Sequence, residues 1–331
     1  MIRSFLSKIN FELHCNPVVS SSKEWKKYIP EQYKSVIMLS ADFELAWAWQ
    51  YSKLFKDPVR EAKKLALRER ENIPEILKIC DKYNIPVTWA TVGHLFLESC
   101  NNDNEKAHEK IPRLFHFEND YWKFSGNDWF ENDPCSDYLK DPEWYAPDLI
   151  KLILNSEVKH EIACHTFSHI DCRDEVCTPE LMRAELIECK RLAENWGLEL
   201  RSFVHPGHTI GNLDVLSEEG FTNFRTNYNN ILGFPVKHKN GLWELKQTAE
   251  IVFRKGWSIK YHIYRYITII ERALKSRTIC VLWFHPSLDP IVVEEIFPEV
   301  FSFLNKNRDK IWITTHSEYV TWLERTSSSS I

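Results

Sequence analysis

The residues best suited to chemistry are histidines and acids placed just after short apolar runs. His165-Thr166-Phe167-Ser168-His169 follows Glu161-Ile162-Ala163-Cys164, which reads as a buried strand. Positions four apart share a face on one helical turn, so both imidazoles are expected to reach one divalent cation. That chemistry needs neutral rings and a coordination position left open for water. Asp42 and Glu44 follow the run from Val36 to Ala41. On an extended chain both carboxylates point one way, with Phe43 turned into packing. One acid could hold a cation while the other accepts a proton; two solvated loop acids are the plainer alternative. His205-Pro206-Gly207-His208 follows Phe203-Val204, and His285-Pro286-Ser287 follows Cys280 to Phe284. His205 and His208 could support the acids or simply be satisfied loop histidines.

Strands and helices must carry these groups, and they alternate along most of the chain. Strands are expected at Val36–Ala41, Val87–Val92, Ile162–Cys164, Ser202–His205, Phe221–Thr226, Ile279–Phe284 and Ile311–Thr314. Helical spacing marks Val59–Tyr83, Pro179–Trp196, Leu213–Glu219, Trp257–Lys275, Val292–Asn305 and Tyr319–Arg325. Such alternation predicts an α/β fold, either a parallel barrel or a doubly wound sheet. In both, ligands bind at the C-terminal ends of the strands. Four strands therefore deliver acids or imidazoles to one rim, which points to a metal-dependent active site. The stretch from Asn101 to Asp148 is too long for a simple connection and carries Trp122, Trp129, Trp144 and Tyr145. Packing of this insertion on the barrel is the expected use of its aromatics, with a sugar-stacking wall as the alternative. His94 and His316 are expected to be structural.

Composition removes several function classes. The chain has 331 residues, 44% of them hydrophobic, enough for a large core. A net charge of -5 leaves no basic surface for nucleic acid. Nine cysteines without a CxxC pair suit reduced thiols. No apolar run is long enough to span a membrane, and Met1 to Leu6 leads into Ser, Lys and Asn without a signal-type segment, so a cytoplasmic protein is expected. The expected organisation is an N-terminal extension over 1–34, a single domain over 35–326 with the insertion at 101–148, and a disordered tail over 327–331.

The order of these motifs resembles the polysaccharide deacetylases of the NodB-homology type, carbohydrate esterase family 4. The segment His165 to His169 is similar to the family's H(S/T)xxH motif. Asp42-Phe43-Glu44 resembles its acid pair, in a spaced DxE form, and Leu282-Trp283-Phe284-His285-Pro286 resembles the late strand that ends in a catalytic histidine. The resemblance spans roughly 35 to 320 and implies an irregular, incompletely closed (β/α)7 barrel. Carried onto these positions, it implies Glu44, His165 and His169 as ligands of a divalent metal, with zinc suited to the set. It implies Asp42 as catalytic base and His285 as general acid, with Trp283, His205 and His208 binding substrate or supporting the site. The family's third motif usually holds an arginine that orients the base. Here Arg201 falls at the wrong end of its strand, so His205 or His208 is expected to stand in.

The activity implied is removal of an acetyl or acyl group from an N-acetylated saccharide or sugar conjugate, in surface-polysaccharide or sugar-conjugate biosynthesis. Two alternatives stay open: hydrolysis of a small amide or cyclic imide at the same site, and a non-catalytic relative that only binds saccharide.

Overall fold

A computed structural model of the chain describes residues 9, 16–102, 106–226 and 230–328. Part of the expected extension (1–8 and 10–15) and the last residues of the expected tail (329–331) lie outside the described residues. Ser327 and Ser328 are not part of a disordered tail; they close the last helix.

The sheet is organised around β1, Ser35–Phe43, whose nine positions are all buried. A strand covered on both faces must be apolar nearly throughout, which the run Val-Ile-Met-Leu satisfies. Ile37, Leu39, Ala41 and Phe43 pack into the main core beneath the helices. Val36 and Met38 face the lumen in a second cluster, and Ser40 and Asp42 continue that face toward the rim. The other principal strands are β2 (Thr88–Thr91), β3 (Glu161–Cys164), β4 (Ser202–Val204), β5 (Asn223–Thr226), β6 (Trp243–Lys246), β7 (Ala249–Glu250), β8 (Ile279–Phe284) and β9 (Ile311–Thr314). Their order is β6-β5-β4-β3-β2-β1-β8-β7, all parallel. Strand β9 also pairs with β1, along Ser35–Met38, while β2 takes Ser40–Phe43. The sheet curls into the irregular (β/α)7 barrel expected from the motif order. β6 and β7, with few apolar residues and short lengths, carry no strong strand signal in the sequence.

Helix α1, Pro58–Tyr83, starts on the Asp57 side chain, which accepts from the Arg60 backbone N–H. Proline in the first turn costs nothing there, and Asn84 ends the helix in the left-handed conformation. Its buried face includes Ile73, Ile76 and Leu77, each worth about 1.5–3 kcal/mol relative to exposure. The same face buries two polar residues, Glu69 and Asn72. Helices α2 (Pro147–Leu154), α3 (Pro179–Glu194), α4 (Leu213–Glu218), α5 (Ile259–Ser276) and α6 (Phe297–Lys306) continue the outer layer. Helix α7, His316–Ser328, instead covers the lumen cluster with Tyr319, Val320 and Leu323. No described helix is long and apolar enough to cross a membrane.

Candidate active site

Asp42 is the last lumen-facing residue of β1, and Glu44 follows where the strand gives way to a short helical turn, Leu45–Ala48. The Glu44 backbone N–H donates to Glu69 of α1 at 3.1 Å. The two acids thus face one side, as alternation predicts.

The histidine pair is brought together differently from the sequence expectation. His165 to His169 is an irregular loop, not a helical turn. Thr166 and His169 take left-handed backbone angles, φ 58° and 59°, a region that costs non-glycine residues roughly 1 kcal/mol or more. The loop is held there by Glu185 of α3, which accepts from the Ser168 backbone at 2.8 Å and its hydroxyl at 2.7 Å. The Trp129 indole donates to the Ser168 carbonyl at 3.0 Å. The result is two imidazoles 5.0 Å apart, centre to centre.

Both rings converge on one oxygen. His165 Nε2 and His169 Nε2 lie 2.9 and 3.1 Å from Glu44 Oε1. His165 Nδ1 is 2.7 Å from the Val204 carbonyl, which can only accept, so Nδ1 carries the hydrogen. In the neutral ring the Nε2 lone pair then faces a carboxylate, an arrangement that calls for a cation between them. Glu44, His165 and His169 each offer one donor atom, all within 4.8 Å of one another. That nitrogen and oxygen set fits a divalent metal, with the Val204 carbonyl fixing ring orientation behind it. Burial alone would raise the Glu44 carboxyl, but His169, His285 and His165 hold it well below the usual range. Burial lowers His169, against the pull of Glu44.

Asp42 is held by an arginine that sequence reasoning missed. Arg225, on β5, donates from Nη1 to Asp42 Oδ1 at 2.7 Å and from Nη2 to Oδ2 at 2.6 Å. A further bond from Nη1 reaches the Ser40 hydroxyl at 2.8 Å. Two parallel charge-assisted bonds fix the carboxylate plane as well as its charge. Burial pushes Asp42 up, and Arg225 more than offsets it, so the group stays ionised. The expected substitutes do not do this. His205 Nε2 lies 3.1 Å from the Gly211 carbonyl, and His208 packs edge-on against Trp283, ring centres 5.1 Å apart. Burial depresses both, to about 3 and about 4. A neutral imidazole at either place would orient a carboxylate less firmly than a guanidinium.

His285 follows β8 and lies 3.7 Å from Glu44 Oε2 and 3.6 Å from Glu250 Oε1. Burial would lower its pKa, but Glu44, Glu250 and Asp42 raise it to about 10. Asn72 of α1 steadies the turn after it, donating to the Pro286 and Leu288 carbonyls at 2.8 and 2.9 Å. Trp283, from the same strand, stacks under the Arg225 guanidinium at 4.8 Å.

These groups border an open cleft of about 600 Å3, lined among others by Trp49, Tyr121, Trp122, His208, Trp283 and His285. Tyr121 and Trp122 come from the insertion. Trp122 sits so close to Gly207 that a Cβ there would meet its ring at 2.6 Å. Trp129, Trp144 and Tyr145 are buried as packing, which was the expected use; Trp122 alone of the four also borders the cleft. Of the site residues read from the sequence, Asp42, Glu44, His165, His169 and His285 are gathered at one rim. His208 and Trp283 line the cleft beside them, and His205 is turned away into its own loop. Arg225, Glu69, Asn72, Glu185 and Glu250 had no signal of their own, each being one polar residue in an otherwise ordinary helix or strand.

Comparison with known proteins agrees with this fold. The polysaccharide deacetylase family model matches residues 61–218. A search of curated protein sequences found no match. Among solved structures, a candidate polysaccharide deacetylase from Mycobacterium smegmatis is similar with a TM-score of 0.62 and 15% identity, covering 95% of this chain and 96% of that one. A second candidate, from Pseudomonas aeruginosa PAO1, gives 0.61 and 12%, over 90% and 94% of the two chains. The Puue allantoinase gives 0.60 and 13%, over 89% and 92%. At these identities the likeness is one of fold. The matched segment and the shared barrel make the chain similar to the polysaccharide deacetylases in fold and in the sequence of residues 61–218.

Proposed function

We propose that the protein is a metal-dependent hydrolase that removes an acetyl group from an N-acetylated saccharide or sugar conjugate. The observation that carries the proposal is the grouping of Asp42, Glu44 and His285, with donor atoms within 4.8 Å of one another, around the same Glu44 that His165 and His169 face. Glu44, His165 and His169 would hold the metal, and zinc suits two imidazoles and a carboxylate. When bound, the ion would acidify a water and polarise the amide carbonyl. Asp42, ionised and fixed by Arg225, would take a proton from the attacking water as its oxygen adds to the carbonyl carbon. His285, protonated between Glu44 and Glu250, gives its proton to the nitrogen as the C–N bond breaks, because an amine leaves poorly as an anion. The bidentate contact lowers the basicity of Asp42, but each carboxylate oxygen keeps a second lone pair for the incoming proton. Aromatic walls at Trp49, Tyr121, Trp122 and Trp283 supply faces on which a sugar ring can stack.

Acetate release from oligomers of N-acetylglucosamine tests the reading. The wild-type chain is expected to release acetate and to leave cyclic imides intact. D42N is expected to keep its metal and lose turnover, whereas H165A loses turnover together with the ion at Glu44. Full activity in D42N would overturn the base assignment, and turnover of imides in place of saccharides would move the substrate to the small-amide class.

A further inference from the structure

A second group of ligand-type side chains lies where the insertion meets the barrel. His94, in the short turn Gly93–Phe96 after β2, meets Cys100 just beyond it and His108 and Asp133 from the insertion. Their donor atoms all lie within 4.8 Å of one another. Asp133 Oδ2 is 3.1 Å from His94 Nε2 and 2.9 Å from His108 Nε2. Cys100 Sγ lies 3.6 Å from both Asp133 oxygens.

The strongest indication is the state of His94, which is fully buried. Its Nδ1 is 3.1 Å from the Trp144 carbonyl, which can only accept, so Nδ1 carries the hydrogen. The Nε2 atom makes no hydrogen bond, although a carboxylate oxygen lies 3.1 Å away. A buried nitrogen lone pair left unpaired beside a carboxylate is costly unless a positive charge sits within reach of both. The surroundings are also arranged as a metal site requires. Asp133 Oδ1 is occupied by the Cys135 backbone N–H at 2.9 Å and the Tyr145 hydroxyl at 3.2 Å, which leaves Oδ2 to the cluster. A cleft of about 320 Å3 bordered by Cys100 and His108 opens the cluster to solvent.

We infer that His94, Cys100, His108 and Asp133 form a second divalent transition-metal site, separate from the one at Glu44. One thiolate, two imidazoles and a carboxylate make a complete tetrahedral set for zinc, with no position left for substrate. Its role is to hold the insertion: two of its ligands belong to that segment, and the other two to the turn after β2 and its immediate extension. The His94 ring packs 5.5 Å from that of Phe167, and its backbone N–H donates to the Phe167 carbonyl at 2.9 Å. The site therefore also braces the loop carrying His165 and His169.

Reconstitution of the full chain with Co2+ reads the two sites separately. Only a cysteine-containing site gives a thiolate-to-cobalt charge-transfer band, and the site at Glu44 has no cysteine. The expected result is two ions per chain with that band in the wild type. C100S loses the band and one ion, and H165A keeps the band and loses the other ion. H108N, at the solvent edge of the cluster, is a milder variant expected to release the same ion if C100S does not fold. Absence of the band in the reconstituted wild type, or unchanged metal content in C100S and H108N, would overturn the inference. If H165A leaves the metal content untouched while C100S removes all of it, the site at Glu44 fails and this one stands.

Discussion

Arg225 shows how much of the site depends on one side chain from far along the sequence. It reaches Asp42 across 183 positions with two bonds of 2.6–2.7 Å and rests on Trp283. Lysine keeps the charge but offers a point donor in place of a planar fork, so the carboxylate would be free to turn. R225K is expected to lower kcat about 100-fold, the scale of a 1 Å misplacement, with metal content and KM little changed. Steady-state kinetics beside elemental analysis would check this, and an unaltered kcat would show that Asp42 needs no such partner. The residues gathered at the rim were legible in the sequence because histidines and acids directly after apolar runs are uncommon. Arg225 was not, since Asn223-Phe224-Arg225-Thr226 gives no hint that its one charge points into the barrel. The metal-type cluster was also hidden, because His94, Cys100, His108 and Asp133 follow no regular spacing.

At the scale of elements, short apolar runs located most strands within one or two residues, and β8 and β9 coincide with their expected limits. Burial on both faces leaves such strands little freedom of composition. The segment expected as one helix over Val292–Asn305 is divided: a wider turn over Val292–Ile296 precedes α6, whose Pro298 lacks the N–H a continuous helix would use. The conformation of the His165–His169 loop was illegible because left-handed Thr166 and His169 are imposed by Glu185 and Trp129, not by local preference. A different histidine ties elements together at the opposite end of the barrel. His160 Nδ1 accepts from the Val87 N–H at 3.1 Å, and its Nε2 lies 3.1 Å from the Ser156 hydroxyl, which donates to Asp81 at the end of α1. Burial lowers His160 to about 4 from an ordinary 6.5. The folded state thus holds this ring neutral while the unfolded chain protonates it. The stability it contributes is complete above pH 6.5 and is lost as pH falls through about 4. Denaturant unfolding from pH 7 to 4 should therefore show a steeper loss in the wild type than in H160N; identical slopes would refute the assignment.

For the whole molecule, the barrel is closed at its far end by α7 and not by its own strands. Tyr319 and Leu323 share a buried cluster with Val36, Met38 and Val281, and the Tyr319 hydroxyl donates to the Tyr28 carbonyl at 3.0 Å. The apolar spacing of this helix was readable, but its place over the lumen was not, because nothing local distinguishes it from the outer layer. L323A should lower stability by about 2–5 kcal/mol, the usual range for emptying a buried leucine site. A thermal melt would show a transition lower by several degrees, with turnover per folded molecule unchanged because the vacated space lies away from the rim. An unshifted transition would mean that α7 is not part of the cooperative core.

The origins of the cleft's two sides carry a further consequence. Every group proposed to react stands on a barrel strand or the loop directly after it, whereas Tyr121 and Trp122 belong to the long connection between β2 and α2. Selection can recut the tip of that connection around Tyr121 so long as Trp129, which holds the His165–His169 loop, is kept. In a lineage built on this plan, substrate preference and chemical competence can drift on separate clocks.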